Sequence, residues 1–411
     1  MRFVQSRDAR RLGVLFAIVY FAQGMVYLPD QVLAIVLKER GLSAGQLATF
    51  NWIITTPWFI KPLYGLLSDF VPLFGTRRRS YFLITAGLAS ASAFAVSLTP
   101  QAPYALLVAM ITLLWLAVGF TDVLTDALMV ERGQPLGLTG AFQSVQWAAL
   151  SAASILAGVA GGYLAENRAL AGAFALVASF PIVSLVMAAV MVREPRSRLD
   201  LEGLAETGQA LRLAFGRRDL WLVAGFIFFF FFAPSFGPAF FFYQTDVLGF
   251  SQPFIGALGS LGAAAGILGA LAYAPLSRRI SLRRLVVGLI GASAVGTLAY
   301  LLYRGPVSAV AVTLIFGAVG MTTQVAFLDL AAKACPRRAE ATFFALLMSV
   351  SNLGMRSGEW IGANLYDRVG YTPLVLISAV CTAAAWLLVP LVPFDAIDAP
   401  ARSAETDSAG C

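Results

Sequence analysis

Apolar runs of more than roughly 18 residues recur along the whole chain, and lipid offers no partner for unbonded backbone N–H and C=O groups, so each run can cross hydrocarbon only as a helix. About twelve such runs are bounded by Gly, Pro or charge, near 12–37, 43–69, 80–98, 103–131, 138–164, 169–192, 219–245, 252–277, 283–303, 307–333, 340–366 and 372–393. With 59% hydrophobic and only 12% charged residues among 411, the sequence reads as an all-α polytopic membrane protein. The short alternating segments of a β-barrel are missing from it.

In a membrane protein the net charge of +7 has its origin in the loops and is no sign of nucleic-acid binding. With the N-terminus in the cytosol, the arginines before residue 12, Arg77 to Arg79, Arg132 and the basic residues of the later even-numbered loops all fall inside. Lys38, Arg40, Arg168, Arg304 and Arg368 fall outside, so both termini are expected in the cytosol. The basic start runs into an apolar segment too long for a signal-peptide core, and the first span is expected to stay in the protein. Cys335, Cys381 and Cys411 lack metal-ligand spacing and histidine is absent, so no metal, no cofactor and no enzyme chemistry is expected. Any proton carrier must be a carboxylate.

The longest polar stretch, 193–218, sits halfway along and reads as a cytosolic linker, with room for an amphipathic helix, between two six-helix bundles at 1–192 and 219–394. The end, 395–411, reads as a disordered cytosolic tail. An internal repeat supports two halves. Ala117 to Thr121 (AVGFT) matches Ala318 to Thr322 (AVGMT), and Gly158 and Gly162 match Gly358 and Gly362. Paired halves of this kind build a binding site at the membrane midplane in many secondary transporters. The glycines at 256, 259, 262, 266 and 269 read as close helix packing.

An ionisable side chain at membrane depth costs about 2.5–3.5 kcal/mol on insertion scales, so the few present here are expected to face protein or water. Lys61 lies inside the second run, Asp69 where that run meets water, and Arg77, Arg78 and Arg79 just beyond, which makes this hairpin a gate candidate with Glu131 and Arg132. Asp122 and Asp126, at i and i+4, share a helix face. They form either a proton or cation site, or, for Asp126 and Glu131, partners of loop arginines. Arg356 and Glu359, at i and i+3, either neutralise each other or offer a guanidinium fork to a substrate carboxylate. Gln23, Tyr27 and Asp30 share a face of the first span, and Asp30 is either a site residue or the end of a shorter helix. Pro234 and Pro238 predict a kink in the seventh run, with Phe236, Phe240 and Tyr243 on one face, suited to stacking on a flat heterocycle.

Four stretches resemble the folate-biopterin transporter family of the major facilitator superfamily: PWFIKPLYGLLSDFVPLFGTRRRSY, TDVLTDALMVER, APSFGPAFFFYQTDVLGFS and ATFFALLMSVSNLG. The resemblance implies a major facilitator fold of twelve helices in the bacterial inner membrane, acting as a monomer on folates, pterins or related heterocyclic anions with proton coupling. The matching positions are Lys61, Pro62, Asp69, Arg77 to Arg79, Asp122, Asp126, Glu131, Arg132, Pro234 and Ser235. On this reading Asp122 carries the proton or accepts from a pterin amino edge, and Arg356 or Lys61 takes the carboxylate tail. The phenylalanine run before Pro234, Pro238, Arg356 and Glu359 depart from the family wording. Alternatives are a permease for other anions such as muropeptides, whose family shares a similar arginine hairpin, and a non-transporting assembly factor.

Overall fold

A computed structural model describes residues 7–136, 138–335, 340–394 and 397. The expected tail, 395–411, therefore lies outside the described residues, Ile397 aside. Sixteen α-helices follow in order: α1 (Arg7–Met25), α2 (Asp30–Glu39), α3 (Ala44–Thr55), α4 (Lys61–Phe70), α5 (Arg79–Leu98), α6 (Tyr104–Gly133), α7 (Thr139–Glu166), α8 (Leu170–Met191), α9 (Leu201–Phe215), α10 (Arg218–Phe232), α11 (Gly237–Phe242), α12 (Gln252–Arg279), α13 (Leu282–Ala299), α14 (Pro306–Ala334), α15 (Glu340–Val369) and α16 (Tyr371–Ala384).

Ten helical segments among the described residues are long and apolar enough to cross a membrane, the first being Ala9–Glu39. The other two rods of the expected twelve depart from that rule for visible reasons. The rod α3–α4 is interrupted by a 3-10 turn at Thr56–Ile60, and α15 carries Arg356 and Glu359 among serines, glycines and asparagines. Large apolar side chains such as Val186, Leu268, Val295 and Val380 are exposed on these rods, as a lipid-facing surface requires.

The chain divides into two compact units, residues 1–205 with 249–260, and 206–248 with 261–411. In the first, α5 packs along α8 and α6, and α1 along α7. In the second, α13 packs along α16 and α14, and α10 along α15. Numbered by span, these are the same pairings six spans apart, so the repeat in the sequence is also a repeat in internal packing. Each unit has its own buried apolar cluster, one around Phe16, Phe82, Leu124 and Phe142, the other around Phe226, Val286, Phe327 and Phe343.

Bare backbone lets the rods approach closely. In the first unit a Cβ at Gly161 would strike the Leu28 carbonyl, and one at Gly162 would strike the backbone of α12 at Gln252 and Gly256. In the second, the seventh span breaks after Phe232, where Ala233 turns extended, and resumes at Gly237, with φ +36. Pro234 and Pro238 cannot donate there, and the Ser235 N–H instead donates to the Gly358 carbonyl at 3.1 Å. The break rests on a glycine face of α15: Gly354 meets Phe228, Gly358 meets Phe231 and Ala233, and Gly362 meets the Ser235 carbonyl. Of the α12 glycines, Gly262, Gly266 and Gly269 lie against α14, whereas Gly259 has open space around it.

Gly362→Ala is expected to destabilise the protein by about 1–3 kcal/mol, because the added methyl must displace backbone. Melting in detergent will show a lowered Tm, while Gly259→Ala leaves it unchanged.

Candidate functional site

The second span places the first charge. Pro57 and Pro62 deny it a continuous ladder, so the helix tightens into the 3-10 turn at Thr56–Ile60 and restarts at Lys61. Hydroxyls supply the irregular backbone: Tyr64 donates to the Pro57 carbonyl at 2.9 Å, Thr55 to Asn51 at 2.7 Å and Thr56 to Ile53 at 2.7 Å. The restart brings the Lys61 ammonium onto Asp122, whose side chain is 6% exposed against 16% for the lysine.

Asp122 and Asp126 stand one turn apart on α6, and Tyr20 and Gln23 nearly one turn apart on α1, so the two helices face each other through two rungs. In the first, Gln23 Nε2 donates to Asp122 Oδ1 at 3.0 Å while Lys61 holds the other oxygen. In the second, the Tyr20 hydroxyl donates to Asp126 Oδ1, and Gln146 Nε2 from α7 reaches the same oxygen at 3.4 Å. The network thus holds two carboxylates and one ammonium.

An aromatic wall adjoins the first rung. The Lys61 ammonium lies 4.6 Å from the centre of the Trp58 ring, a cation–π contact. Trp58 meets Trp115 edge to face at 6.0 Å, and Trp115 meets Tyr27 at 5.2 Å. Gly119 has no side chain to hold the Trp58 ring away, and an added Cβ there would already touch it at 3.7 Å. The Trp58 Nε1 proton is buried with no acceptor among the described residues.

At the arginine-rich end, Arg78 is the centre. Its guanidinium pairs with Asp69, donates to Ser68 Oγ at 2.7 Å and lies 3.9 Å from Glu131. Its backbone N–H and that of Arg79, at the start of α5, both donate to Glu194, at 2.9 and 3.1 Å, so a carboxylate from the 193–218 stretch covers the positive end of that helix. The arginines around it go to carbonyls at the end of α8: Arg79 to Ala189 at 3.0 Å, Arg11 to Val190 at 2.9 Å and Arg132 to Arg193 at 2.9 Å. Arg77 makes no hydrogen bond or ion pair among the described residues.

Not every expected site residue joins these groups. Asp30 begins α2 and is exposed, past the turn that ends α1. In the second unit, Arg356 donates to Glu359 at 2.8 Å, the local pair that i, i+3 spacing allows. Phe236, Phe240 and Tyr243 share a half-exposed face and pack against further protein rings. Tyr243 stacks on Tyr371 at 3.6 Å, Phe236 lies 4.7 Å from Tyr300, and Phe240 lies 4.8 Å from Tyr303. Sequence reasoning missed Tyr20, Trp58, Trp115, Gln146 and Glu194. Tyr20, three residues before Gln23, and Gln146, a lone amide inside an apolar run, carried a legible signal; Glu194 in a polar stretch carried none.

The fold has counterparts among solved structures. The nucleoside transporter NupG superposes with a TM-score of 0.70 at 14% identity, covering 95% of this chain and 99% of its own. The D-xylose-proton symporter does so with 0.71 at 15%, covering 93% and 97%. By sequence, the folate-biopterin transporter of Synechocystis sp. is 34% identical over 375 residues, 86% of this chain and 74% of that protein. Probable folate-biopterin transporter 4 of Arabidopsis thaliana is 25% identical over 437 residues, 87% and 88%. The protein is therefore a multi-pass membrane transporter of the major facilitator fold, not an enzyme. Within that class the chain belongs to the BT1 family, whose model matches residues 21–407.

Lys61→Met strands Asp122 as a buried, unpaired carboxylate and is expected to cost about 3–5 kcal/mol. Adding Asp122→Asn recovers most of that loss, so a double-mutant cycle on Tm yields a large coupling energy; additive effects would deny the pair.

Proposed function

We propose that this protein is a secondary transporter that carries a folate, a pterin or a related heterocyclic anion by alternating access, with a proton as the coupled ion. The observation that carries the reading is the imbalance of the first unit's network: two carboxylates, one ammonium, and only neutral donors on Asp126. Lys61 compensates Asp122, and one proton on Asp126 renders the three groups neutral. A substrate anion arriving at Lys61 adds a negative charge to the network, and Asp126 takes up the proton that offsets it. Substrate charge and proton thus occupy the same network, the condition for coupling them.

The aromatic wall supports a flat heterocycle as cargo. Trp58 and Tyr27, backed by the buried Trp115, offer aromatic surface beside the ammonium, and the unpaired Trp58 N–H offers a donor to a ring nitrogen or carbonyl. Arg356, held by Glu359, is the second unit's cation for a carboxylate tail. Phe236, Phe240 and Tyr243, half-exposed among tyrosines of their own unit, offer a second aromatic surface for the heterocycle. The Asp69–Arg78–Glu131 cluster braces the gate on the cytosolic side, in a bacterial inner membrane with both termini inside. The chain acts as a monomer, with 193–218 linking its halves. The 34% identity to a folate-biopterin transporter makes pterin-like cargo the first to test.

In proteoliposomes, an inward proton gradient is expected to drive uptake of labelled folate, with folic acid competing and an anhydromuropeptide not. Asp126→Asn should keep exchange of folate for folate and lose accumulation. Concentrative, pH-dependent uptake by that variant would remove the proton from Asp126.

A further inference from the structure

The Gln23 amide is held from one side only. Asp122, an acceptor and nothing else, fixes the Nε2 end at 3.0 Å, and a flipped amide would set oxygen against oxygen. The carbonyl end, Oε1, is thereby turned away from Asp122. It is buried and has no donor within reach among the described residues, in a residue that is 9% exposed. Leaving such a group without a partner is costly.

Beside it the structure holds a cavity of about 20 Å³ between α1, α5, α6 and α8, bounded by Gln23, Thr121 and Ser184 and otherwise by apolar groups such as Val19, Ala86 and Pro181. That volume holds one water molecule, which needs two to four polar partners. The hydroxyls around it can complete the set. Thr85 has the Phe82 carbonyl as an acceptor at 3.3 Å, so Thr121 can donate in the 2.8 Å bond between the two threonines. In that arrangement the Thr121 oxygen is free to accept toward the cavity. Ser184 spends its proton on a long 3.4 Å bond to the Phe180 carbonyl and can turn it inward at little cost.

We propose that this cavity is a binding site for a single structural water, which donates to Gln23 Oε1 and to Thr121 Oγ1 and accepts from Ser184. Through the amide, the water holds Gln23 on Asp122, so Thr121 and Ser184 are positioning residues for the Lys61–Asp122 pair. A sodium ion fits less well, because the lining supplies three neutral side-chain oxygens and no carboxylate amid apolar walls, too little to replace a hydration shell. The site itself rests only on geometry; its consequence for uptake rests on the transport role proposed above.

The test has two arms. A structure of the full-length protein at a resolution that shows waters, in sodium-free buffer, is expected to have one density peak at about 2.7–3.2 Å from Gln23 Oε1, Thr121 Oγ1 and Ser184 Oγ. An empty cavity overturns the proposal, and so does a peak that is present only with sodium and sits at the shorter distances of a metal ligand. In the second arm, Ser184→Val fills the space and expels the water, whereas Ser184→Ala leaves room for it. Folate uptake per transporter in the membrane is expected to fall about tenfold in the valine variant, with its pH profile displaced, and about threefold in the alanine variant, which loses one of the water's three partners but keeps the water. Equal effects of the two would overturn the positioning role. If neither the wild type nor any variant takes up folate, the transport reading fails while the density still decides the water.

Discussion

The ion pair of Lys61 with Asp122 is the constraint on which the first unit depends. Neither group can stand alone inside a helical bundle, and each is placed by a feature that would otherwise weaken the fold. The prolines that interrupt the second span cost it helix hydrogen bonds, and hydroxyls of its own residues replace them. The restart that follows aims the lysine at α6. The Trp58 ring packs over Gly119, within van der Waals contact of where a Cβ would stand, and lies against the ammonium. Local departures from ideal helix geometry therefore serve one buried electrostatic contact, the kind of exception found where a site has been built.

The second unit repeats the scheme of pairings and applies glycine to a different end. Gly158 and Gly162 in the first unit, and Gly358 and Gly362 in the second, occupy corresponding turns of the fifth and eleventh spans. The first pair admits the start of α12; the second admits the broken backbone between α10 and α11. In both cases the missing side chain lets backbone meet backbone, which membrane helices use for association where hydrophobic burial gives no preference.

Much of this was legible in the residues. Long apolar runs fixed the number and order of the rods, Pro234 and Pro238 marked the break in the seventh span, and the i, i+4 aspartates marked the face that carries the network. Partners were not legible, because they are set by helix packing between residues 20 to 106 positions apart. Asp122 could be singled out from its own helix, but its meeting with Lys61 and Gln23 depends on how α1, α4 and α6 lean together. The same limit applies to the aromatic face of the seventh span. Its rings do line up as spacing demands, and Tyr300, Tyr303 and Tyr371 arrive from spans nine and twelve to pack against them. At the arginine hairpin, composition pointed to a gate candidate without showing that, among the described residues, Arg78 is the one arginine that joins Asp69 and Glu131, or that its neighbours serve the carbonyls of α8.

In the proposed mechanism, substrate charge and proton meet at one network of three ionisable groups, and binding itself must therefore move protons. Titration calorimetry of folate binding to the purified transporter, repeated in buffers of different ionisation enthalpy, counts the protons exchanged per substrate bound. A non-zero count in the wild type that vanishes in Asp126→Asn is the result this account predicts. Folate binding with the same heat in every buffer would contradict it.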